Sequence, residues 1–257
     1  MRSKTIVVMP AYNAEKTLKK TIDDIPLYCV DEIILVDDAS KDNTVTLAKS
    51  IGSSHPQLHP YEDRNNNKDN KTLFTIFVCE QNRGYGGNQK KCYELALSHG
   101  ATVVVMLHPD YQYDPKLIKF FKEFIEDGHF DVVLGSRIRS RQEALAGGMP
   151  IYKYFANRVL SFLENVVTGR NLSEWHTGMR AYKREVLENI PYEKFSNDFV
   201  FDSQMLLAIV EKNYSIGDIP IPVRYSDDSS SINFFKSLKY GLLTIFELFK
   251  FWWRKTF

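Results

Sequence analysis

The sequence predicts an α/β fold: a doubly wound, mostly parallel sheet followed by an amphipathic C-terminal helix. Three observations carry that expectation. Short apolar runs alternate with longer amphipathic ones through the first half of the chain, the pattern of strands joined by helical crossovers. Several of the short runs are continuously apolar, as strands covered on both faces must be. Polar residues gather directly after those runs, where an open sheet of this kind places its ligands.

In chain order, residues 6–9, 33–36, 73–78, 103–107 and 132–134 are read as strands. Segments 14–25, 43–51, 87–99 and 115–127 carry apolar residues at helical spacing. Asp42 or Asn43 can cap the second of these, and Asp114 followed by Pro115 opens the fourth. Residues 55–71, centred on Arg64-Asn65-Asn66-Asn67-Lys68-Asp69-Asn70, are read as a polar excursion without chemistry. In the second half, 152–167 is a strongly apolar helix carrying Asn157 and Arg158, 175–182 a loop entering a strand, and 201–211 a helix. Residues 216–225 contain Pro220 and Pro222, neither of which can donate a ladder hydrogen bond, so an extended, edge-like piece is expected.

The segment 234–257 has Leu238, Leu242, Ile245, Phe249 and Trp252 on one helical face, but Tyr240, Leu243, Phe246, Leu248 and Phe251 cover much of the rest. It closes on Trp252-Trp253-Arg254-Lys255, an aromatic-basic boundary like those at membrane interfaces. Its apolar part is short for spanning a bilayer. Three readings stay open: a helix lying in a membrane interface, one docked on a partner protein, or one buried against its own domain.

At 257 residues the chain can hold one large domain with a substantial core. Lys plus Arg (33) balances Asp plus Glu (32), which removes the global field expected of a nucleic-acid binder. Cys29, Cys79 and Cys92 form no Cys-x-x-Cys pattern and read as reduced structural thiols in a cytoplasmic setting. The apolar run at 5–9 is too short for a signal-peptide core and is read as the first strand.

Four strand ends carry the candidate chemistry: Pro10-Ala11-Tyr12-Asn13-Ala14-Glu15, Asp37-Asp38-Ala39-Ser40-Lys41-Asp42, Asn82-Arg83-Gly84-Tyr85-Gly86-Gly87-Asn88 and His108-Pro109-Asp110. Each alone has a plain structural explanation, as a helix cap or a glycine turn. Together they suit a nucleotide: carboxylates accept from base N–H and ribose hydroxyl groups, and glycines let the backbone approach the ligand. Asp110 can place a divalent cation on a diphosphate. The glycine-rich piece lacks the spacing of a phosphate-loop kinase and does not follow the first strand as a dinucleotide fingerprint would, so kinase and dehydrogenase readings fall away.

These residues resemble the family 2 glycosyltransferases of the GT-A fold, most closely the branch containing dolichol-phosphate mannose and polyprenyl-phosphate glucose synthases. Matching pieces are Val8-Met9-Pro10-Ala11-Tyr12-Asn13, Val36-Asp37-Asp38-Ala39-Ser40-Lys41-Asp42-Asn43-Thr44, the 82–88 loop, Asp110-Tyr111-Gln112, Gly135-Ser136-Arg137 and Thr177-Gly178-Met179-Arg180. The resemblance implies a GT-A domain at 1–233, divided into a Rossmann-like nucleotide-sugar half (1–114) and an acceptor half (115–233), before the helix at 234–257. It implies an inverting transferase using Mg²⁺ or Mn²⁺. That enzyme would move a hexose from a UDP- or GDP-sugar to a polyprenyl or dolichyl phosphate. The protein would then be cytoplasmic and peripherally bound to the cytosolic face of a membrane through its C-terminal helix.

By the same resemblance, Pro10, Tyr12, Glu15, Asp37 and Asp38 would contact the base and ribose, with Asn13 and Ser40 in the same set. Asn82, Gly84, Tyr85 and Asn88 would lie near the ribose and diphosphate. Asp110 corresponds to the last acid of an Asp-x-Asp motif and Gln112 to the glutamine after it, both as metal ligands. Arg137 looks like the family's phosphate-binding arginine. His108 departs from the pattern by replacing the first acid. A neutral imidazole can ligate Mn²⁺, whereas Mg²⁺ prefers oxygen; alternatively His108 only hydrogen-bonds the loop. Arg137, Lys153, Asn157, Arg180 and Arg224 form the expected acceptor-binding set, Arg224 with Ser229-Ser230-Ser231 standing where the branch has a phosphate-gripping loop. A phosphate acceptor needs no general base, but a hydroxyl acceptor does. Glu174 and His176 are the candidate bases, or else they position the acceptor or cap a turn. The alternatives are transfer to a sugar hydroxyl in polysaccharide or glycolipid synthesis, a non-catalytic nucleotide-sugar-binding protein and, more weakly, a nucleotidyltransferase.

Overall fold

In the computed structural model, which describes residues 3–61, 71–138, 140–222 and 234–256, the first apolar run forms a strand buried at every position, Thr5–Ala11 (β1). Glu32–Asp37 (β2), Leu58–Pro60 (β3), Thr72–Val78 (β4), Val103–Met106 (β5), Val132–Ser136 (β6), Arg180–Lys183 (β7) and Ile216–Pro220 (β8) complete an eight-stranded sheet among the described residues. Its order is β3-β4-β2-β1-β5-β7-β6-β8. All neighbours are parallel except β7, which runs antiparallel between β5 and β6. The mostly parallel sheet expected from the alternating pattern is present, and the proline-bearing β8 lies at an edge.

The helices are Leu18–Asp23 (α1), Thr44–Ser54 (α2), Tyr85–Ser98 (α3), Ile118–Glu126 (α4), Arg141–Ala146 (α5), Ile151–Thr168 (α6), Arg184–Asn189 (α7), Phe201–Glu211 (α8) and Phe234–Thr256 (α9). Alternate residues of β1 feed two cores. Ile6 and Val8 pack with Cys92 and Tyr93 of α3 and Met205 and Leu206 of α8. Val7 and Met9 pack with Leu18 of α1, Ala48 of α2 and Phe121 of α4 on the other face. Two covered faces explain why the strands read as unbroken apolar runs.

Several boundaries differ from expectation. Helix α1 starts at Leu18 because residues 14–17 turn first, with Thr17 and Leu18 N–H both donating to the Ala14 carbonyl. Helix α3 starts earlier, at Tyr85. Strand β3 lies inside the segment read as an excursion, while α5 and α7 were not expected; elements of three to six residues are too short to show a period. Arg224 and Ser229-Ser230-Ser231 lie outside the described residues.

Helix α9 resolves part of the three-way reading of the tail. Leu248 and Phe251 are buried in the core shared with α8, and Thr244 is fully buried. The opposite face, with Leu242 62% and Phe246 54% exposed, is open. No helix among the described residues is long and apolar enough to cross a membrane.

The register aligns the carboxyl ends that matter. Ala11 pairs with Asp37, Asp37 with Val78, and Val8 with Met106. The polar segments after β1, β2, β4 and β5 therefore emerge along one edge.

Candidate active site

That edge opens into a cleft of about 1000 Å³ lined by residues from all four strand-end segments. Residues of α6, α8 and α9 close its far side.

At the end nearest β1, β2 and β4, where nucleotide contacts were expected, Pro10, Tyr12, Asn13, Asp38, Asn82, Gly84, Tyr85 and Asn88 all line the cleft, as does Arg83. The Asp38 carboxylate accepts from the backbone N–H of Arg83 at 2.7 Å and of Gly84 at 3.1 Å, tying the second loop to the fourth-strand loop. Burial raises its pKa above the ordinary 3.8, against those two donors. Asn88 donates to the Val36 carbonyl at 3.1 Å, and its Oδ1 is buried without a hydrogen-bond partner.

Glu15, Asp37 and Ser40 do not line the cleft. Glu15 accepts from the Asn43 side chain at 2.9 Å and its backbone N–H at 3.2 Å, while Asp37 accepts from Ser40 N–H at 2.9 Å. Ser40 Oγ accepts from Asn13 N–H, and Asn13 Oδ1 from Lys41 N–H. These polar side chains clip the loops after β1 and β2 to one another, and their geometry is that of a brace. The glycines also differ from expectation. A Cβ on Gly86 would stand 2.5 Å from the Ser196 carbonyl and 2.7 Å from Phe201 Cβ, so this glycine admits the chain's own 196–201 segment rather than a ligand.

At the floor, His108, Asp110 and Gln112 all line the cleft. Asp110 Oδ1 accepts from Gln112 N–H at 3.1 Å. Tyr85 donates its hydroxyl proton to Asp202 at 2.8 Å, so His108 Nε2, 3.3 Å from the same oxygen, is assigned as donor and its lone pair lies on Nδ1. Burial holds the His108 imidazole below its ordinary 6.5, against the pull of Asp110 and Asp202. Gly178 is required beside it, because a Cβ there would fall 2.8 Å from the His108 ring. No group of three or more His, Cys, Asp or Glu among the described residues forms a metal cage. One carboxylate, one imidazole and one amide nonetheless have the donor chemistry to hold a divalent cation together with anionic oxygens of a ligand, and a nitrogen donor would favour Mn²⁺ over Mg²⁺.

Of the residues expected to act on or bind the acceptor, Arg137, Lys153, Asn157 and His176 line the cleft, but Glu174 and Arg180 do not. Glu174 is fully buried and accepts from Arg137 Nε at 2.8 Å, from Arg137 N–H at 2.6 Å and from Asn157 at 2.8 Å. It is engaged as an anchor for Arg137, which corrects its reading as a base. Arg180 is corrected likewise from its acceptor-binding role. Fully buried, it donates to the Thr177 carbonyl at 2.8 Å and pairs with Asp202 at 3.4 Å. His176 has both ring nitrogens near partners, Tyr240 Oη at 2.6 Å from Nδ1 and Glu164 Oε2 at 3.0 Å from Nε2. Burial, then the neighbouring Arg137, hold the Lys153 ammonium below its ordinary 10.5.

Sequence reasoning missed Asp202, Lys236 and Tyr240, which line the cleft, and Glu164, buried behind it. Asp202 and Glu164 leave one signal, an acid inside an otherwise apolar helical stretch. Nothing in the local pattern marks Tyr240.

The glycosyl transferase family 2 model matches residues 6–191. A UDP-N-acetylglucosamine–dolichyl-phosphate N-acetylglucosaminyltransferase of Methanococcus voltae is 31% identical over 87% of this chain and 86% of its own length. A dolichyl-phosphate hexose transferase of Haloferax volcanii is 27% identical over 85% of this chain and 82% of its own. A crystal structure of glucosyl-3-phosphoglycerate synthase from Mycobacterium tuberculosis, in complex with Mn²⁺, UDP and phosphoglyceric acid, has a TM-score of 0.69, covering 97% of this chain and 78% of that one. At 17% identity this last likeness shows the fold alone, which is GT-A. With its polar strand ends gathered on one cleft and the family pattern running from β1 past β7, the chain belongs to glycosyl transferase family 2 and is a glycosyltransferase.

Proposed function

We propose that this glycosyltransferase moves a hexose unit from a UDP- or GDP-sugar to a polyprenyl or dolichyl phosphate, with inversion, at the cytosolic face of a membrane. One observation carries the acceptor class: Glu174 is taken up by the chain's own donors, and His176 Nδ1 by Tyr240. Glu174 is saturated by Arg137 and Asn157, and His176 lies between Tyr240 and Glu164. An anionic phosphate oxygen needs no proton removed before it attacks, so a site where these two candidates, among the described residues, are held in this way suits it. Lys153 and Arg137 face the same end and supply cations for it.

In the displacement, the acceptor oxygen forms its bond to the anomeric carbon as the bond to the diphosphate breaks, and the nucleoside diphosphate leaves with the electron pair. A divalent cation held by Asp110, His108 and Gln112 would supply neutralising charge for the leaving group. Arg137, fixed in advance by Glu174, presents its guanidinium without reorganisation as negative charge grows. Asp38 and the loop at 82–88 hold the nucleotide end, and Asn88 offers an acceptor to it.

The outer faces of α6 and α9 support the membrane reading. Ile151, Phe155, Val159, Phe162 and Val166 of α6 are each more than half exposed, as are Leu242, Phe246 and Phe249 of α9. The two helices pack against one another, and each carries exposed apolar residues as well as residues that line the cleft.

The experiment is product analysis with labelled UDP- and GDP-hexoses, Mn²⁺ or Mg²⁺, and vesicles carrying polyprenyl phosphate. A lipid-linked product released by mild acid is expected. An acid-resistant glycoside would overturn the acceptor class in favour of a sugar hydroxyl.

A further inference from the structure

The carboxylate of Glu164 on α6 is fully buried, and neither oxygen receives an aligned hydrogen bond. A buried carboxylate is costly unless something compensates it. His176 is the group beside it, with Nε2 3.0 Å from Glu164 Oε2. The other ring nitrogen, Nδ1, is 2.6 Å from Tyr240 Oη, and the two rings meet edge to face at 5.4 Å and 85°. Tyr240 Oη also lies 3.2 Å from Ser203 Oγ, which is 3.2 Å from Thr244 Oγ1. Burial, then Glu164 and Asp202, push the Tyr240 phenol above its ordinary 10.0, so it keeps its proton.

We infer that α9 is a working wall of the acceptor side of the cleft, in which Tyr240, together with Glu164, is a positioning residue for His176. An imidazole held by a hydrogen bond at one nitrogen and faced by a carboxylate at the other has its ring orientation set by those neighbours. These partners come from two helices that flank the cleft, 12 residues before His176 and 64 residues after it in the chain. The His176 carbonyl in turn accepts from Arg137, so the same residue fixes the cation at the sugar-transfer point. Helix α9 carries exposed apolar residues on one side and Lys236, Ser237 and Tyr240 in the cleft on the other. The tail is therefore continuous with the active site and is not an appended anchor.

This inference rests on the proposed anionic acceptor only for its kinetic readout. In the full chain, Tyr240→Phe should lower kcat/KM for polyprenyl phosphate about tenfold, the scale of one lost buried hydrogen bond, and Glu164→Gln, which removes the charge facing His176, should lower it too. The donor KM should stay within about twofold. Tyr240→Phe should add no further loss in a His176→Phe background, because its hydroxyl acts through that ring. Additive losses, or an equal rise in the donor KM, would overturn the inference. Histidine-selective ¹⁵N NMR of the same variants needs no turnover: both substitutions should shift the His176 ring signals. Unmoved signals overturn the positioning role. Moved signals in a chain that transfers nothing to lipid phosphate support positioning and sink the acceptor reading alone.

Discussion

Arg137 and Glu174 are joined through both side chain and backbone: Arg137 Nε donates at 2.8 Å to one carboxylate oxygen, and its backbone N–H donates at 2.6 Å to the other. A cation at the cleft wall is thus aimed by a carboxylate that never reaches the cleft. Glu174→Gln keeps the shape and removes the charge, and should cost about 1.5–3 kcal/mol of stability, the range for a charge-assisted hydrogen bond. Transfer should fall while the pH–rate profile keeps its shape. Loss of the profile's acid limb would restore Glu174 as a base.

Arg180, buried beneath the cleft, and Asp202, which lines it, form a second pair 3.4 Å apart. Arg180→Met leaves Asp202 buried without its guanidinium and should destabilise the chain by about 3–5 kcal/mol in urea unfolding. A stable variant with only a weakened acceptor KM would return Arg180 to the acceptor site.

Tyr111, held at φ 55° between Asp110 and Gln112, donates its hydroxyl to Asp24 and lies under the Lys20 ammonium at 4.1 Å. That hydrogen bond is the largest reason the Asp24 pKa lies below its ordinary 3.8. A depressed carboxylate stabilises the fold above its unfolded pKa and loses that contribution as pH falls through its folded value. Wild type should therefore exceed Tyr111→Phe in stability at neutral pH, and the gap should close as pH drops below about 4. A pH-independent gap in chemical unfolding would refute the assignment.

By the family resemblance His108 stands where an acid is expected beside Asp110, and a neutral imidazole there would be a better ligand for Mn²⁺ than for Mg²⁺. His108→Asp should shift metal preference towards Mg²⁺, read as the ratio of activities with the two ions. Asp110→Ala should abolish activity with both. An unchanged ratio in His108→Asp would place His108 outside the metal shell.

Deleting the tail is a poor test of membrane contact, because Leu248 and Phe251 belong to the core and Tyr240 to the cleft. Replacing Phe155, Phe162, Leu242 and Phe249 by serine leaves those contacts intact. Flotation with anionic liposomes should then be lost while the melting temperature holds. Undiminished flotation would show that this face does not meet lipid.

Much of the fold was legible because its signals are local. β1, β2 and β5 are runs buried on both faces, and α8 spans the residues that its spacing predicts. The cleft was legible because polar residues after a parallel strand have one place to go. The sign of each contact was not legible. Glu15 and Glu174 share the chemistry of a ligand-binding or catalytic acid, yet both are spent on the chain's own donors. Likewise Gly86 reads like a glycine for a ligand and serves the packing of residues 196–201.

The sequence by itself determined the parallel α/β sheet, the strand-end loops and the family, because periodicity and motif spacing lie within a few dozen residues. Only the tertiary structure decided that Arg180 points beneath the floor, that Glu174 serves Arg137, and that the tail helix enters the cleft. Those outcomes depend on which distant donor meets which acceptor, as His176 meets Tyr240 across 64 residues. A hydrogen bond of that kind leaves no period in the chain.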